Sequence, residues 1–385
     1  MSHKGKKVLF LCSWYPNRKN PTLGNFVQKH AEAASLFNEV VVLAIVADET
    51  IHSIEIVENR RGEMNEVLVY FPKKNPGFLS FSKLRSFLSY RKAFDIGMKR
   101  VTQLVGSPEI VHLNVIYPLG YFALKFKKKT GTPFVISEHA SGFQNGANSY
   151  ARSVIWMAKK VLVASDCVMP VSKDLGERLK KLAPNITIKV IPNVVNESIF
   201  IPSEELDVTN KFVHISNAFE PAKNLLGIIR TVKQLSSENA NFSFHIISDG
   251  DVSKAHQLAR ELGVLNSFVF FYPTMNTQEI ADFLKTCRAL VLFSNFENFP
   301  CVIPEAFMAG IPVISTAVNG IPEYVNESNG ILIQAKDEEG LLAAFKSLID
   351  SQPFHKEKLR AYAMEHFSYA AVGKSISDVY EKVLR

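Results

Sequence analysis

Short apolar, β-branched runs alternate along this chain with longer segments of helical period. In the first half the runs are Val8–Cys12, Val40–Ala47, Val67–Phe71, Ile110–Asn114, Pro133–Ser137, Cys167–Pro170 and Ile188–Ile191. Amphipathic stretches such as Phe26–Phe37 and Ala151–Ala164 lie between most of them. Strands alternating with helices predict βαβ units around a parallel sheet. The pattern restarts after Ile191-Pro-Asn-Val-Val-Asn and the polar stretch Pro202–Lys211. The second set of runs is Phe212–Ser216, Phe242–Ser248, Phe268–Tyr272, Ala289–Phe293, Pro312–Ser315 and Gly330–Ile333, and the tail from Glu338 reads as helices.

The chain is therefore expected to be α/β, with two Rossmann-like, doubly wound domains meeting near residue 200. Residues 1–200 make the first, 201–366 the second, and 367–385 a C-terminal helix. Open sheets of this kind bind ligands outside the carboxyl ends of their strands. Two such edges facing each other would enclose a deep cleft, a favoured ligand location.

Composition narrows the class. Of 385 residues, 47% are hydrophobic and 21% charged, which excludes a disordered chain or a long coiled coil. No repeat period points to a solenoid. Cys12, Cys167, Cys287 and Cys301 have no CxxC spacing, which fits free thiols in a reducing compartment. Lys4, Lys6 and Lys7 precede an apolar run that ends at Ser13, too short for a secretory signal. No run approaches the ~20 apolar residues of a membrane span. A cytoplasmic protein is expected.

Charge is uneven. Residues 1–200 hold 28 Lys/Arg against 15 Asp/Glu, whereas 201–385 hold 16 against 22. A basic first half suits an anionic partner, and equally suits attraction between the two halves.

The densest chemical constellation begins at Ser294-Asn-Phe-Glu297 and runs through Pro304-Glu305-Ala-Phe-Met-Ala-Gly310 to Ile311-Pro-Val-Ile-Ser315. A strand is expected to end near Phe293, with Glu297 in the following loop. A helix opening near Pro304 puts Glu305 in its first turn. Eight residues apart, the two carboxylates cannot share one helical face, so they should do different jobs. A helix N-terminus also offers N–H groups to an anion, and Glu305 could equally serve only to complement the helix dipole.

Glu297-x7-Glu305, followed by Ala306, Gly310, Pro312-Val313 and Asn319-Gly-Ile-Pro-Glu323, resembles the signature of family 4 glycosyltransferases. The resemblance spans nearly the whole chain in order. Pro21-Thr-Leu-Gly24-Asn-Phe26 is similar to the family's N-terminal glycine loop, and Glu138-His139 stands where the family often has its active-site histidine. Ile191-Pro-Asn-Val-Val-Asn resembles the inter-domain segment, and Ser216-Asn217 through Lys223-Asn224 the Gly-Arg…Lys-Gly segment.

That resemblance implies the GT-B fold, with C-terminal helices returning toward the N-terminal domain. It implies a retaining hexosyltransferase that needs no cofactor beyond its nucleotide diphosphate sugar donor. His139, Glu297 and Lys223 are the implied catalytic residues. Gly24, Asn217, Lys223, Asn298, Phe299, Pro300, Cys301 and Glu305 would bind the donor. Glu305 would hold the ribose hydroxyls, Glu297 the hexose, and Lys223 the diphosphate as a point charge. Pro300, where the family commonly has glycine, carries no N–H, and Asn217 stands in place of the usual Arg. Ser248-Asp249-Gly250-Asp251 is taken as a loop only, and no metal site is expected.

From Lys73 to Arg100, eight Lys/Arg face one acid, Asp95, with Phe and Leu interleaved. Lys83, Arg85, Arg91 and Lys92 are the candidates for contact with an anionic membrane surface or acceptor. The same stripe could simply pack on the first sheet. The acceptor implied by the family is a glycan or lipid-linked saccharide, in bacterial surface polysaccharide or lipopolysaccharide synthesis at the inner face of the plasma membrane. The alternatives are a nucleotide-sugar 2-epimerase on the same fold and a catalytically weak nucleotide-sugar or membrane-binding scaffold. No recognised nucleic-acid motif accompanies the basic charge.

Overall fold

A computed structural model of the chain describes residues 5–73, 81–143, 150–204 and 209–385, with the side chains of 81–84 and 141 outside the description. Two compact units emerge, Met1–Pro192 with Tyr369–Arg385, and Asn193–Ser368.

The first unit holds a seven-stranded sheet. Its strands are β1 (Lys7–Cys12), β2 (Glu39–Asp48), β3 (Glu55–Arg61), β4 (Met64–Pro72), β5 (Ile110–Asn114), β6 (Phe134–Glu138) and β7 (Cys167–Pro170), ordered β3-β4-β2-β1-β5-β6-β7. Every pairing is parallel except the hairpin β3–β4. Central β1 and β5 are buried almost throughout, which is why they read as continuous apolar runs. Edge strand β3, Glu-Ile-Val-Glu-Asn-Arg-Arg, is mostly exposed and was not foreseen. Ile188–Ile191, expected as a strand, makes an isolated parallel bridge from Ile188 to Val168, and Ile191 N donates to Pro170 O at 3.0 Å. The ladder is broken by Pro170 of β7, which has no N–H to donate back to this segment.

The last helix, Tyr369–Val383, belongs to this unit. Tyr380 is fully buried, and its hydroxyl lies 2.6 Å from Nδ1 of His112 on β5. The other ring nitrogen of His112 lies 2.8 Å from Ser137 Oγ. Tyr369 donates to Glu32 at 2.5 Å, so both ends of the helix are tied to the first unit.

The second unit holds six parallel strands, β8 (Lys211–Ser216), β9 (Ser243–Ser248), β10 (Val269–Tyr272), β11 (Ala289–Leu292), β12 (Val313–Thr316) and β13 (Gly330–Ile333). Their order is β10-β9-β8-β11-β12-β13, the doubly wound arrangement in which the chain reverses direction between β8 and β11. Phe212, Phe244, Phe293 and Phe345 are fully buried in its core. Its boundary falls at 192/193, not at 200, because residues 193–200 are bonded into this unit. Val195 donates to the carbonyl of Phe367 at 2.8 Å, and Arg360 donates to the carbonyls of Phe200 and Glu197 at 2.6 and 3.1 Å.

Candidate functional site

The loops after β8 and β11 leave adjacent strands at the switch point of the second sheet, where such folds bind ligands. On β8, the buried ring of His214 donates from Nδ1 to the carbonyl of Val291 at 2.9 Å. Its Nε2, 2.8 Å from Ser216 Oγ, is then the acceptor of that hydroxyl. Burial pushes the His214 pKa down to about 3, the Val291 bond opposing and the Lys223 charge adding to the shift. The ring is neutral near pH 7.

Ser216 Oγ in turn accepts from Ala218 N at 3.0 Å, while Ala218 sits at φ 52°. The next strand's loop presses on this turn, since a Cβ on Gly250 would lie 1.7 Å from the carbonyl oxygen of Asn217. Glycine is required there by close backbone approach. Asn217 Oδ1 accepts from Phe219 N at 3.2 Å.

Lys223 ends the short helix Glu220–Lys223. Asn224, at φ 50°, breaks that helix and caps the next, Leu225–Ser236, accepting from Gly227 N. Asn295 ties the two loops together, donating from N to Ala222 O at 2.6 Å and from Nδ2 to Pro221 O at 3.2 Å. Lys223 Nζ and Glu297 Oε1 are thereby brought into an ion pair. Ser294 Oγ donates to the same Glu297 oxygen at 3.0 Å, and Glu297 N donates to Asn319 Oδ1 at 3.0 Å. Thr316, at the end of β12, donates to Ser294 O at 2.6 Å. Residues from three strand ends therefore fix one carboxylate.

Downstream, the helix spans Val302–Met308, opening earlier than expected. Pro304 is tolerated as its third residue because the first four N–H groups of a helix lack intrahelical partners. Glu305 is buried, its N–H bonded to Cys301 O at 3.3 Å. Asn298 and Phe299 are buried, whereas Pro300 and Cys301 are half-buried. The Phe299 ring packs 4.2 Å from that of Tyr324, and its carbonyl accepts from Asn193 at 2.7 Å. Phe299 thus anchors the loop that carries Glu297.

In the first unit the equivalent switch point lies between β1 and β5. Gly24 adopts φ 67° as it opens the helix Asn25–Ser35, and a Cβ there would lie 2.6 Å from the backbone carbon of Trp14. The close approach seen at Gly24 is thus to the chain's own backbone. His139 follows β6, its ring 4.5 Å from Phe26 and 5.1 Å from His30.

Sequence reasoning gave Glu138 no role. Its carboxylate is fully buried at the end of β6. Oε1 accepts from His139 N at 2.9 Å and Ala140 N at 2.8 Å, and Oε2 from Ile116 N at 2.9 Å. It joins the loops after β5 and β6 and fixes the backbone of His139. Burial pushes its pKa up to about 7 against those three bonds. An acid closing an apolar run was the available signal. His214 and Ser216 lie inside the run Phe212–Ser216, read as core, and Ser294 opens the Glu297 constellation without a role of its own.

Asp249 and Asp251 stand at the Asp-x-Asp spacing associated with metal-dependent transferases, a match that the loop reading overlooked. Both are exposed, and Asp251 accepts from Ser253 N at 2.9 Å at the start of the helix Ser253–Glu261. Among the described residues no group of three or more His, Cys, Asp or Glu is placed to hold a metal ion. Arg85, Arg91 and Lys92 are exposed on the helix Phe81–Val105, Arg91 lying 3.8 Å from Asp95, while the Lys83 side chain lies outside the described residues.

Two family models match the chain in succession. Residues 39–198 match "Glycosyltransferase Family 4" and residues 196–366 match "Glycosyl transferases group 1". A glycosyltransferase of Methanocaldococcus jannaschii is 26% identical over 307 residues, covering 78% of this chain and 82% of its own. The lipopolysaccharide 1,6-galactosyltransferase of Escherichia coli K12 is 31% identical over 172 residues, 42% of this chain and 46% of its own. Among solved structures, sucrose-phosphate synthase from Thermosynechococcus elongatus superposes with TM-score 0.78 at 16% identity, covering 98% of this chain and 99% of that one. The Anabaena protein HepE, in complex with UDP and glucose, gives 0.72 at 18% identity with the same coverage.

Proposed function

Because the chain belongs to the glycosyltransferases whose group 1 and family 4 models match its two halves, we propose that it is a retaining, metal-independent hexosyltransferase. It moves a hexose from a nucleotide diphosphate sugar to a glycan or lipid-linked acceptor, in bacterial surface polysaccharide or lipopolysaccharide synthesis. The observation that carries this is the Lys223–Glu297 pair at the switch point of the second sheet, with Glu305 buried on the helix behind it.

In this mechanism Glu305 accepts hydrogen bonds from the ribose hydroxyls. The diphosphate draws Lys223 from Glu297, and the ammonium offsets charge on the leaving phosphate. Glu297, still held by Ser294 and Asn319, turns to the hexose hydroxyls. The acceptor hydroxyl attacks the anomeric carbon on the face that the phosphate leaves, and the departing phosphate oxygen takes its proton. His139, fixed through Glu138, is the first unit's candidate for a hydrogen bond to the acceptor. Asn217 supplies a hydrogen bond and no charge where the family has Arg. That substitution also favours a second reading, a nucleotide-sugar binder with slow turnover.

Support for the acceptor class comes from the E. coli relative, a lipopolysaccharide galactosyltransferase by name. Exposed Arg85, Arg91 and Lys92 on the helix Phe81–Val105 suit an anionic membrane surface where such acceptors reside. No helix among the described residues is long and apolar enough to cross a membrane.

The test is transfer from UDP- and GDP-hexoses to extracted lipid-linked and core saccharides in the presence of EDTA, with the product's anomeric configuration read by NMR. Retention is expected, with K223A slowing transfer about 100-fold. An inverted product, or loss of transfer on chelation, overturns the mechanism.

A further inference from the structure

On one helix of the first unit, apolar side chains lie outside the core. Helix Arg152–Ala164 buries Ala158, Val161 and Leu162, yet leaves Trp156 and Val163 63% and 67% exposed. These are the most exposed large hydrophobic residues among those described. Trp156, Lys160 and Val163 fall at i, i+4 and i+7, one stripe of the helix. The Lys160 ammonium sits 3.5 Å above the Trp156 ring.

This helix is the outer member of a three-helix layer. Gly120 of the helix Gly120–Thr130 meets it closely, a Cβ there lying 3.1 Å from Val161 Cγ1. Phe122 of that same helix packs 4.6 Å from Phe94 of the helix Phe81–Val105. Together the three helices carry thirteen Lys/Arg and one acid, Asp95. Among the described residues no carboxylate pairs with Lys125, Lys128, Lys129, Lys159 or Lys160. Phe87 and Leu88, 42% and 50% exposed, add apolar surface at the far side of the layer.

We infer that Trp156, Lys160 and Val163 form an interfacial anchor that seats this layer on an anionic lipid bilayer. Unneutralised cations call for an anionic partner, which a nucleic acid could also be. Protruding Val163 and Leu88 gain nothing against a phosphate backbone, whereas a bilayer sets headgroup charge directly above an acyl boundary. Indole prefers that boundary, and the stacked Lys160 places its charge at the phosphate level. The anchor deepens the membrane contact proposed above by adding a second, apolar attachment point on another helix. It does not depend on the transferase chemistry.

The chain has two tryptophans, so W14F leaves Trp156 as the sole tryptophan, which is excited selectively over the tyrosines. W14F is mixed with vesicles of phosphatidylcholine, alone or containing phosphatidylglycerol. A blue shift of Trp156 emission with the anionic vesicles only is expected. In co-sedimentation, W156S/V163S should bind about tenfold more weakly than wild type. K159Q/K160Q should lose about 30-fold at low salt, from ~1 kcal/mol per removed charge. Unchanged emission with anionic vesicles, or wild-type sedimentation of both variants, overturns the anchor. So does a lipid-free dimer, seen by light scattering, that W156S/V163S dissociates, because the patch is then a self-contact. Vesicle binding is read without donor. A chain that binds no nucleotide sugar yet shows the blue shift supports the anchor and counts against the transferase mechanism alone.

Discussion

Lys223 and Glu297, 74 positions apart in the chain, form an ion pair whose side chains are only 14% and 12% exposed. The pair joins the two loops that bracket the switch point of the second sheet. Removing either partner leaves a charge that water reaches poorly. K223A is therefore expected to cost about 1–3 kcal/mol of stability. The double variant K223A/E297Q should lose less than the sum of its single changes, because neither charge is then stranded. Urea unfolding of the four proteins gives the coupling directly, and strict additivity would show that the pair contributes nothing.

In the proposed mechanism the same pair sets an order of events on donor binding. Freed from Glu297, Lys223 is available to phosphate at once. E297Q should bind a nucleoside diphosphate at least as tightly as wild type while transferring sugar about 100-fold more slowly. Calorimetry with the diphosphate, beside initial rates with the sugar nucleotide, separates the two effects.

In the proposed mechanism Glu305 holds the donor's ribose. Losing a charged acceptor for two hydroxyls should weaken donor binding about 10- to 100-fold in E305A, with E305Q in between. Equal affinities by calorimetry would remove Glu305 from the site.

Gly250 supports Asn217 from below, with no room for a methyl group before the Asn217 carbonyl. G250A is expected to displace that turn, costing about 1–3 kcal/mol and weakening donor binding. Thermal unfolding with and without donor measures both.

Glu138 predicts a pH signature in the first unit. Burial raises its folded pKa from 4.5 to about 7, so the folded chain holds this proton more tightly than the unfolded one. Its contribution to stability is therefore greatest below about pH 4.5 and falls as pH rises toward 7. E138Q, which keeps the shape and loses the titration, should flatten that slope in urea unfolding measured across the interval. Identical slopes for the two proteins would contradict it.

Much of this architecture is legible in the residue pattern because the central strands are buried on both faces. Phe212–Ser216 and Phe242–Ser248 fall within a residue of β8 and β9 for that reason. β3 escapes notice because an edge strand with one partner can be Glu- and Arg-rich. Ile188–Ile191 has strand composition, yet Pro170 opposite it lacks the N–H that would complete a ladder. At the site, Glu297 and Glu305 stand out by spacing. The Lys223–Glu297 contact does not, since pairing across 74 residues is fixed by strand order, which local pattern leaves open. Glu138 and His214 are equally hidden. Their importance lies in which backbone groups they reach, Ile116 N in the loop after β5 for Glu138 and Val291 O on β11 for His214.

The central claim is that the second unit binds a nucleotide diphosphate sugar through Lys223 and Glu305 without a metal ion. It is tested most directly by thermal shift with UDP-, GDP- and ADP-sugars, with and without EDTA, on wild type, K223A and E305A. One donor should raise the wild-type midpoint equally in both conditions, with a much smaller rise in each variant. A rise abolished by EDTA, or one that K223A and E305A reproduce in full, would contradict it.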